Sequence, residues 1–178
     1  MQTTRKDDGF ALIDLIFVCA IIGILASIAL PRLVLARQVA GSASAIGSLR
    51  AVNSAQLTYA ITCGSGFYAP NLTTLGTSTT PGLGATFISP DLGASNSVTK
   101  SGYTVRVAAT AYSGAPATCN GLAAGEAGQG FKAGADAVEP GNVRFFATNA
   151  NGLIYEDTSS LYASMPEVGA PSSGHPIR

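Results

Sequence analysis

The carboxylate of Asp14 is the most informative chemical group in this sequence. It is the only charged side chain in residues 10–30, a run of 21 residues that is otherwise almost wholly apolar. A helix rises about 1.5 Å per residue, so this run would span roughly the 30 Å of a bilayer core. A carboxylate in such a segment costs about 2.5–3.5 kcal/mol at the bilayer centre and less near its surface, and it is by default functional. No residue of the run can pair with Asp14.

The residues around Gly9 suggest where a partner could come from. If the polar segment were removed after Gly9, the new α-amino group of Phe10 would lie four residues before Asp14. The equivalent amine of a neighbouring subunit could then reach the carboxylate. Such a contact would form only on assembly.

Two other interpretations of the apolar run are less favoured. A secretory signal peptide has an apolar region of about 7–15 residues and a small-residue cleavage site, whereas this run is longer and Pro31-Arg32 follows it. A buried soluble helix would have to be wrapped by a Gly- and Ala-rich chain, which is poorly suited to cover a helix that is apolar on every face. Basic residues precede and follow the run, so charge assigns no orientation.

The N-terminal residues resemble the signature of type IV pilins and type II secretion pseudopilins. The likeness is carried by Gly9-Phe-Ala-Leu-Ile-Asp14, by Gly23-Ile-Leu-Ala26 within the apolar run and by the closing Pro31. It implies that a prepilin peptidase cleaves after Gly9 at the cytoplasmic face and methylates the amine of Phe10. It also implies that Asp14 pairs with the amine of an adjacent subunit during assembly.

The same resemblance implies the partners and the location. Subunits would be drawn from the inner membrane, at an assembly platform, into a helical filament of copies of the chain with minor pilins or pseudopilins. The head would lie in the periplasm, and the filament in the periplasm or at the cell surface.

The sequence departs from the family's pattern at two points. The acid is Asp14 where the family usually has Glu, so its reach is one methylene shorter while the charge is kept, and we expect function to survive. Asp7 and Asp8 stand directly before Gly9, where family leaders are mostly basic, which bears on the efficiency of cleavage. An uncleaved single-pass anchor is the alternative.

One long helix must position these groups. Pro31 removes the amide that would bond the carbonyl of Ser27, which predicts a kink or a local opening there. Helical periodicity then continues to about Thr62, and Gly64 and Gly66 are suitable terminators. The predicted apolar face is Ala45, Leu49, Val52, Ala55, Tyr59 and Cys63, and the polar residues of the other faces are Arg37, Gln38, Ser42, Ser48, Arg50 and Asn53.

The remaining chain predicts a small antiparallel sheet. Residues 102–113 alternate apolar and polar side chains, which is typical of a half-buried strand. Residues 143–148 and 153–155 flank Asn149-Ala-Asn-Gly152, a good hairpin signal because Asn and Gly tolerate the positive φ that such turns need. Residues 73–101, with at most a helical turn, residues 114–141 and the tail from Pro166 are expected to be irregular.

The fold class that follows is α+β and pilin-like, with a long N-terminal helix packed on a small antiparallel sheet. Its first half would cross the membrane. The expected organisation is a leader at 1–9, a transmembrane and assembly helix at 10–30, an amphipathic continuation at 31–63 and a globular head at 64–178.

The three cysteines divide by location. Cys19 lies inside the apolar run, where we expect a buried small hydrophobe. Cys63 and Cys119 both fall in the exported part, where an oxidising compartment permits a disulfide between them. The alternatives are two unpaired thiols or a bond between subunits. Many type IV pilins close a loop near the C-terminus instead, and here no cysteine follows Cys119.

The sequence offers no catalytic constellation, so we expect no enzyme. Its single histidine, His175, stands in a Gly- and Pro-rich tail. Ten Lys and Arg balance ten Asp and Glu, which excludes a nucleic-acid reader that binds through a basic face.

Calcium is the cofactor to consider, because major pseudopilins resembling this chain often bind it in a C-terminal loop. The acids close enough in sequence are Asp136, Glu139, Glu156 and Asp157. They match no motif residue by residue. A solvated acidic surface is the favoured interpretation, and no cofactor is expected.

These features predict a filament subunit, best read as a pseudopilin that supports protein secretion. A true type IV pilin, serving adhesion, twitching or DNA uptake, is the alternative within the class. A membrane-anchored periplasmic binding module that never polymerises is the alternative from another class.

Overall fold

The computed structural model describes residues 12–79 and 85–177. The chain divides into two compact units, Met1–Val39 and Ala40–Arg178. The helix α1 (Leu12–Thr62) contributes residues to both. The long apolar helix and an antiparallel sheet confirm the α+β class.

In its described part, the first unit consists of α1 residues up to Val39. Nearly all of their side chains are exposed. Pro31 lies inside α1, which is helical on both sides of it. Proline lacks the amide for one helical hydrogen bond, but the kink expected there stays a prediction.

In the second unit, α1 presents an apolar face to the sheet. The predicted face is confirmed: its six residues are all buried, and Leu49, Val52 and Tyr59 are completely so. They join one core cluster with Tyr103 and Phe146 of the sheet. Helical spacings of three and four thus identified the buried side of α1 correctly.

Two serines predicted on the polar faces of α1 are buried instead. Ser42 is 2% exposed because its hydroxyl forms a hydrogen bond of 2.9 Å with the Tyr103 hydroxyl. Ser48 is 8% exposed and donates to the backbone carbonyl of Ser44 at 3.0 Å. Both are small side chains whose hydroxyl has a hydrogen-bond partner, which allows them to be buried.

The end of α1 is formed by glycines, as predicted. Gly66 has a φ of +94°, a conformation that favours glycine, and its amide donates to the carbonyl of Ala60 at 2.8 Å. A Cβ at Gly64 would overlap the carbonyl oxygen of Phe67. Any larger residue at Gly64 would force the chain apart.

The sheet has six strands in chain order, each antiparallel to its neighbours. Their bounds are β1 (Ser97–Lys100), β2 (Tyr103–Ala108), β3 (Lys132–Ala137), β4 (Phe145–Asn149), β5 (Ile154–Asp157) and β6 (His175–Pro176). Strand β2 buries Tyr103, Val105 and Val107 in alternation, which confirms the predicted half-buried strand. It ends at Ala108 because the next amide, that of Ala109, bonds the carbonyl of Pro70.

The prediction that residues 114–141 are a loop was wrong. This region contains β3, which lies between β2 and β4 in the sheet. Ala133 and Ala135 are fully buried, and Gly134 between them lies against Tyr162, since a Cβ added at Gly134 would be 2.8 Å from the Tyr162 Cβ. Small side chains are selected here by close packing on both faces, and they carry no strand signal of their own.

Other regions expected to be irregular also contain short elements. Residues 73–101 include most of α2 (Leu72–Gly76), together with α3 (Pro90–Gly93) and β1. The tail forms β6, which pairs with β5. Strands of two to four residues are too short for an alternation pattern to reveal them.

The hairpin of β4 and β5 is confirmed. Gly152 has a φ of +77°, and its amide donates to the carbonyl of Asn149 at 2.8 Å. The turn is tied to α1, because the Asn53 amide donates to the Thr148 hydroxyl at 3.0 Å and to the Gly152 carbonyl at 3.2 Å.

Candidate assembly site

One helix of the described chain, α1, is long and apolar enough to cross a membrane, judged by length and composition alone. None of its most apolar stretch is buried, so it does not serve as a core helix within the described structure. The large apolar side chains exposed there are Ile13, Leu15, Ile16, Phe17, Val18, Ile21, Ile22, Ile24, Leu25, Ile28, Leu30, Leu33, Val34, Leu35 and Val39.

Asp14 lies in the first turn of α1 and is exposed. The first cation that follows on the helix is Arg32, eighteen residues on, which is about 27 Å along the axis. None of the ion pairs found among residues 12–79 and 85–177 involves Asp14.

The proposed partner of Asp14 is the amine of Phe10, and both Gly9 and Phe10 lie outside the described residues. Cleavage after Gly9, methylation of Phe10 and the pairing of Asp14 therefore stay predictions. The described geometry adds that Asp14 has no cation of its own helix within reach, so a partner would have to come from elsewhere.

Cys63 and Cys119 form a disulfide, with their Cα atoms 4.9 Å apart. The bond joins the end of α1 to the loop before β3, and the Cys119 amide also donates to the Cys63 carbonyl at 3.3 Å. This is the intramolecular pair that the sequence suggested. The expectation of a buried Cys19 was wrong for the single chain, where Cys19 is free and exposed, because no other part of the described chain covers that segment.

Two of the four acids considered for calcium are engaged by arginines. Glu156 accepts hydrogen bonds from Nε and Nη2 of Arg144, at 2.6 and 2.9 Å. This arginine lowers the pKa of Glu156 against the opposing effect of burial, and the carboxylate raises the pKa of Arg144. Asp136 accepts from Arg106 and, at 2.7 Å, from the Ser160 hydroxyl.

The other two acids, Asp157 and Glu139, lie against nearby backbone. Asp157 accepts from the backbone amide of Thr158 at 2.6 Å, and this bond lowers the pKa of Asp157. Glu139 lies against Gly102, where an added Cβ would be 3.2 Å from the Glu139 Cδ. In the described part of the chain, no three His, Cys, Asp or Glu residues are grouped so as to hold a metal ion.

His175 lies on β6, opposite Glu156 of β5, and is exposed. With Arg50 and Arg144 it lines an open cleft of about 580 Å³. The acid that lines this cleft is Glu156, whose carboxylate is already hydrogen-bonded to Arg144. The His175 imidazole therefore lies beside a carboxylate that already has a partner.

A cluster around Tyr162 was missed from the sequence. The Arg106 guanidinium lies 4.4 Å from the centre of the Tyr162 ring, and the Lys132 amine lies 5.3 Å from it. Two cations over one ring stabilise its position on the sheet, so the segment after β5 is held against β2 and β3. The one available signal was Gly134, whose missing side chain leaves room for the ring.

Comparisons with family models, curated proteins and solved structures found no match for this chain. The functional argument therefore depends on the residues and the fold.

Proposed function

We propose that this chain is a membrane-anchored subunit of a helical filament of the type IV pilin and pseudopilin class. The observation that supports the proposal most is α1, whose exposed apolar segment carries one acid, Asp14, in its first turn and leads into a folded second unit. A helix that is apolar on every face needs lipid or other helices around it.

Assembly would exchange one apolar environment for another. In the membrane the segment contacts lipid tails, and in the filament it contacts the same segment of sister subunits. Asp14 would then pair with the methylated amine of Phe10 on a neighbour. In a dry helix bundle a charge-assisted hydrogen bond is strong, whereas an unpaired carboxylate is costly, so Asp14 would set the register between subunits.

Within this class we favour a pseudopilin that supports protein secretion. The Cys63–Cys119 bond links the end of α1 to the middle of the chain, and no cysteine remains to close a C-terminal loop of the kind many type IV pilins have. Loss of exported enzyme in a deletion strain would support secretion. Loss of twitching, adhesion or DNA uptake would support a pilus.

The experiment that tests assembly is Asp14→Ala in the native host. We expect the variant to reach the inner membrane at the normal level and to be lost from sheared filaments. Asp14→Glu keeps the charge and should assemble, and Cys19→Ala, a neutral change in the same segment, should also assemble. Wild-type filament yield from Asp14→Ala would refute the role.

A second measurement tests processing. Mass spectrometry of the purified subunit should find an N-terminal methylated Phe10 in the wild type and an uncleaved chain in Gly9→Val. An intact N-terminus in wild-type protein, together with filament-free sheared fractions, would instead support a membrane-anchored binding module.

A further inference from the structure

The open cleft of the second unit combines apolar and cationic side chains. Ile46 and Ile177 line it, are partly buried and pack against the main core cluster, so the base of the cleft is apolar. Arg50 and Arg144 also line it, together with His175. All of these residues belong to the second unit. An apolar cavity with a few converging polar groups is the usual form of a recognition site.

Two contacts hold the guanidinium of Arg144 in place. Its Nε and Nη2 atoms donate to the two carboxylate oxygens of Glu156, at 2.6 and 2.9 Å, and its central carbon lies 5.3 Å from the centre of the Phe146 ring. Within residues 12–79 and 85–177, these bonds leave Nη1 of Arg144 without a hydrogen-bond partner. A guanidinium fixed in this way loses little conformational freedom when an anion binds to it.

The guanidinium of Arg50 has no counterion in the described chain. Arg50 is exposed on α1, one helical turn after Ile46. None of the ion pairs or side-chain hydrogen bonds found within residues 12–79 and 85–177 involves it. Its five N–H donors are therefore available to an anion that enters the cleft.

The charges that line the cleft do not balance. Arg50 and Arg144 supply two positive charges and Glu156 supplies one negative charge, whereas the whole chain is formally neutral. Glu156 repels an incoming anion, but both of its oxygens are already bonded to Arg144. The uncompensated charge is that of Arg50, and a planar guanidinium pairs well with a carboxylate. His175 adds an imidazole, which carries an N–H donor.

The shape of the cleft favours a carboxylate that another protein carries. The cleft holds about 580 Å³ and is open to solvent, whereas small-molecule sites bury about 70–90% of the ligand surface. A side chain presented by a folded partner needs no such enclosure, because the partner's own surface covers the opening. Addition of a partner strand along β6 is disfavoured, since β6 is two residues long and Pro176 has no amide to donate.

We propose that this cleft binds an acidic side chain of a partner protein, with the carboxylate between Arg50 and Arg144 and the flanking residues of the partner on Ile46 and Ile177. The partner segment is thus an aspartate or glutamate between apolar residues. The second unit would hold this partner through a surface that does not include the apolar segment of α1, so the inference goes beyond the proposed assembly.

The test is a titration of the full-length chain, in uncharged detergent micelles, with a blocked tripeptide of valine, glutamate and valine. The backbone amide signal of Ile177 is followed by NMR, because Ile177 lines the cleft and its amide is held by the Ile154 carbonyl at 2.9 Å. The control peptide has glutamine in place of glutamate. We expect the signal to shift and to saturate with the glutamate peptide at millimolar concentration, and to move little with the glutamine peptide.

Arg50→Gln should weaken binding of the glutamate peptide by about tenfold or more, because it removes a charge-assisted hydrogen bond. Arg50 is exposed, so its replacement leaves the core intact. The matched control is Arg37→Gln, which removes an exposed arginine of the first unit and should leave the affinity unchanged.

Equal binding of the two peptides, or no saturable shift with either, overturns the inference. So does equal affinity of the glutamate peptide for wild type and for Arg50→Gln. Acetate or inorganic phosphate that binds as tightly as the glutamate peptide also overturns it, since the cleft would then take free oxyanions and not a partner's side chain. None of these outcomes bears on filament assembly, which Asp14→Ala tests separately.

Discussion

The disulfide between Cys63 and Cys119 should provide much of the stability of the second unit. The bonded residues are 56 positions apart, and in the chain-entropy model closing a loop of that size removes about 4 kcal/mol of unfolded-state entropy. Ordinary domains are stable by about 5–15 kcal/mol in total. Replacing both cysteines by alanine is therefore expected to lower the free energy of unfolding by about 4 kcal/mol.

Pulse proteolysis across a urea series, on full-length protein in detergent micelles, measures this change. It reports unfolding of the second unit without interference from the apolar part of α1, which detergent keeps helical. With a denaturant slope of about 2 kcal/mol per molar urea, the midpoint should fall by about 2 M.

The matched control is Cys19→Ala, since Cys19 is free and exposed and its replacement should leave the midpoint unchanged. Reducing the wild-type protein should reproduce the shift of the double variant. A double variant whose midpoint stays within about 0.5 M of wild type would refute the reasoning, because the second unit would then owe its stability to its core alone.

Three further changes probe the packing and the charges of the second unit. Gly134→Val should lower the free energy of unfolding by about 1–3 kcal/mol in the same assay, because its Cβ would lie 2.8 Å from that of Tyr162; an unchanged midpoint would contradict the close contact. Gly47→Ala should raise the free energy of unfolding by about 0.5–1 kcal/mol, because Gly47 lies inside a helix and nothing is within 4 Å of the added Cβ. Destabilisation would show that this face of α1 is covered. Arg144 lowers the pKa of Glu156 below 4.5, so the pair stabilises the fold above that pH and loses its effect as the pH falls through the lower folded-state pKa. Glu156→Gln should remove the part of the acid-induced loss of stability that comes from this pair. That part should be modest, because the Arg144 side chain is 44% exposed. If the free energies of unfolding of variant and wild type differ by the same amount at acid and at neutral pH, the role of the pair is contradicted.

The parts of the fold that were predicted correctly are those whose pattern is local. The buried face of α1 follows helical spacing, and the hairpin follows the Asn- and Gly-containing turn at Gly152. Strand β3 was missed because Ala133, Gly134 and Ala135 carry no β-branched or aromatic signal. They form a strand because Val105 and Val107 of β2 face the two alanines and because only small residues fit there.

At the candidate site, the sequence identifies the residues more readily than their partners. Asp14 stands out in the sequence because one acid interrupts a long apolar run, but its role depends on a partner that the described chain does not contain. Cys63 and Cys119 are 56 positions apart in the sequence, with α2, α3, β1 and β2 between them. Their proximity results from the fold. The burial of Ser42 required the Tyr103 hydroxyl as a partner, which no local pattern indicates.

The exposed segment of α1 gives the strongest energetic reason for assembly in a membrane. Fifteen large apolar side chains from Ile13 to Val39 are exposed in the described structure, and burying the exposed half of each is worth about 1 kcal/mol. The total is comparable to the whole stability of a domain, so these side chains must be covered. Apolar area alone does not favour sister helices over lipid, because lipid tails are as apolar as leucine. The preference for a filament must therefore come from polar or close-packed contacts, and Asp14 is the one side chain among residues 10–30 with a charge to contribute.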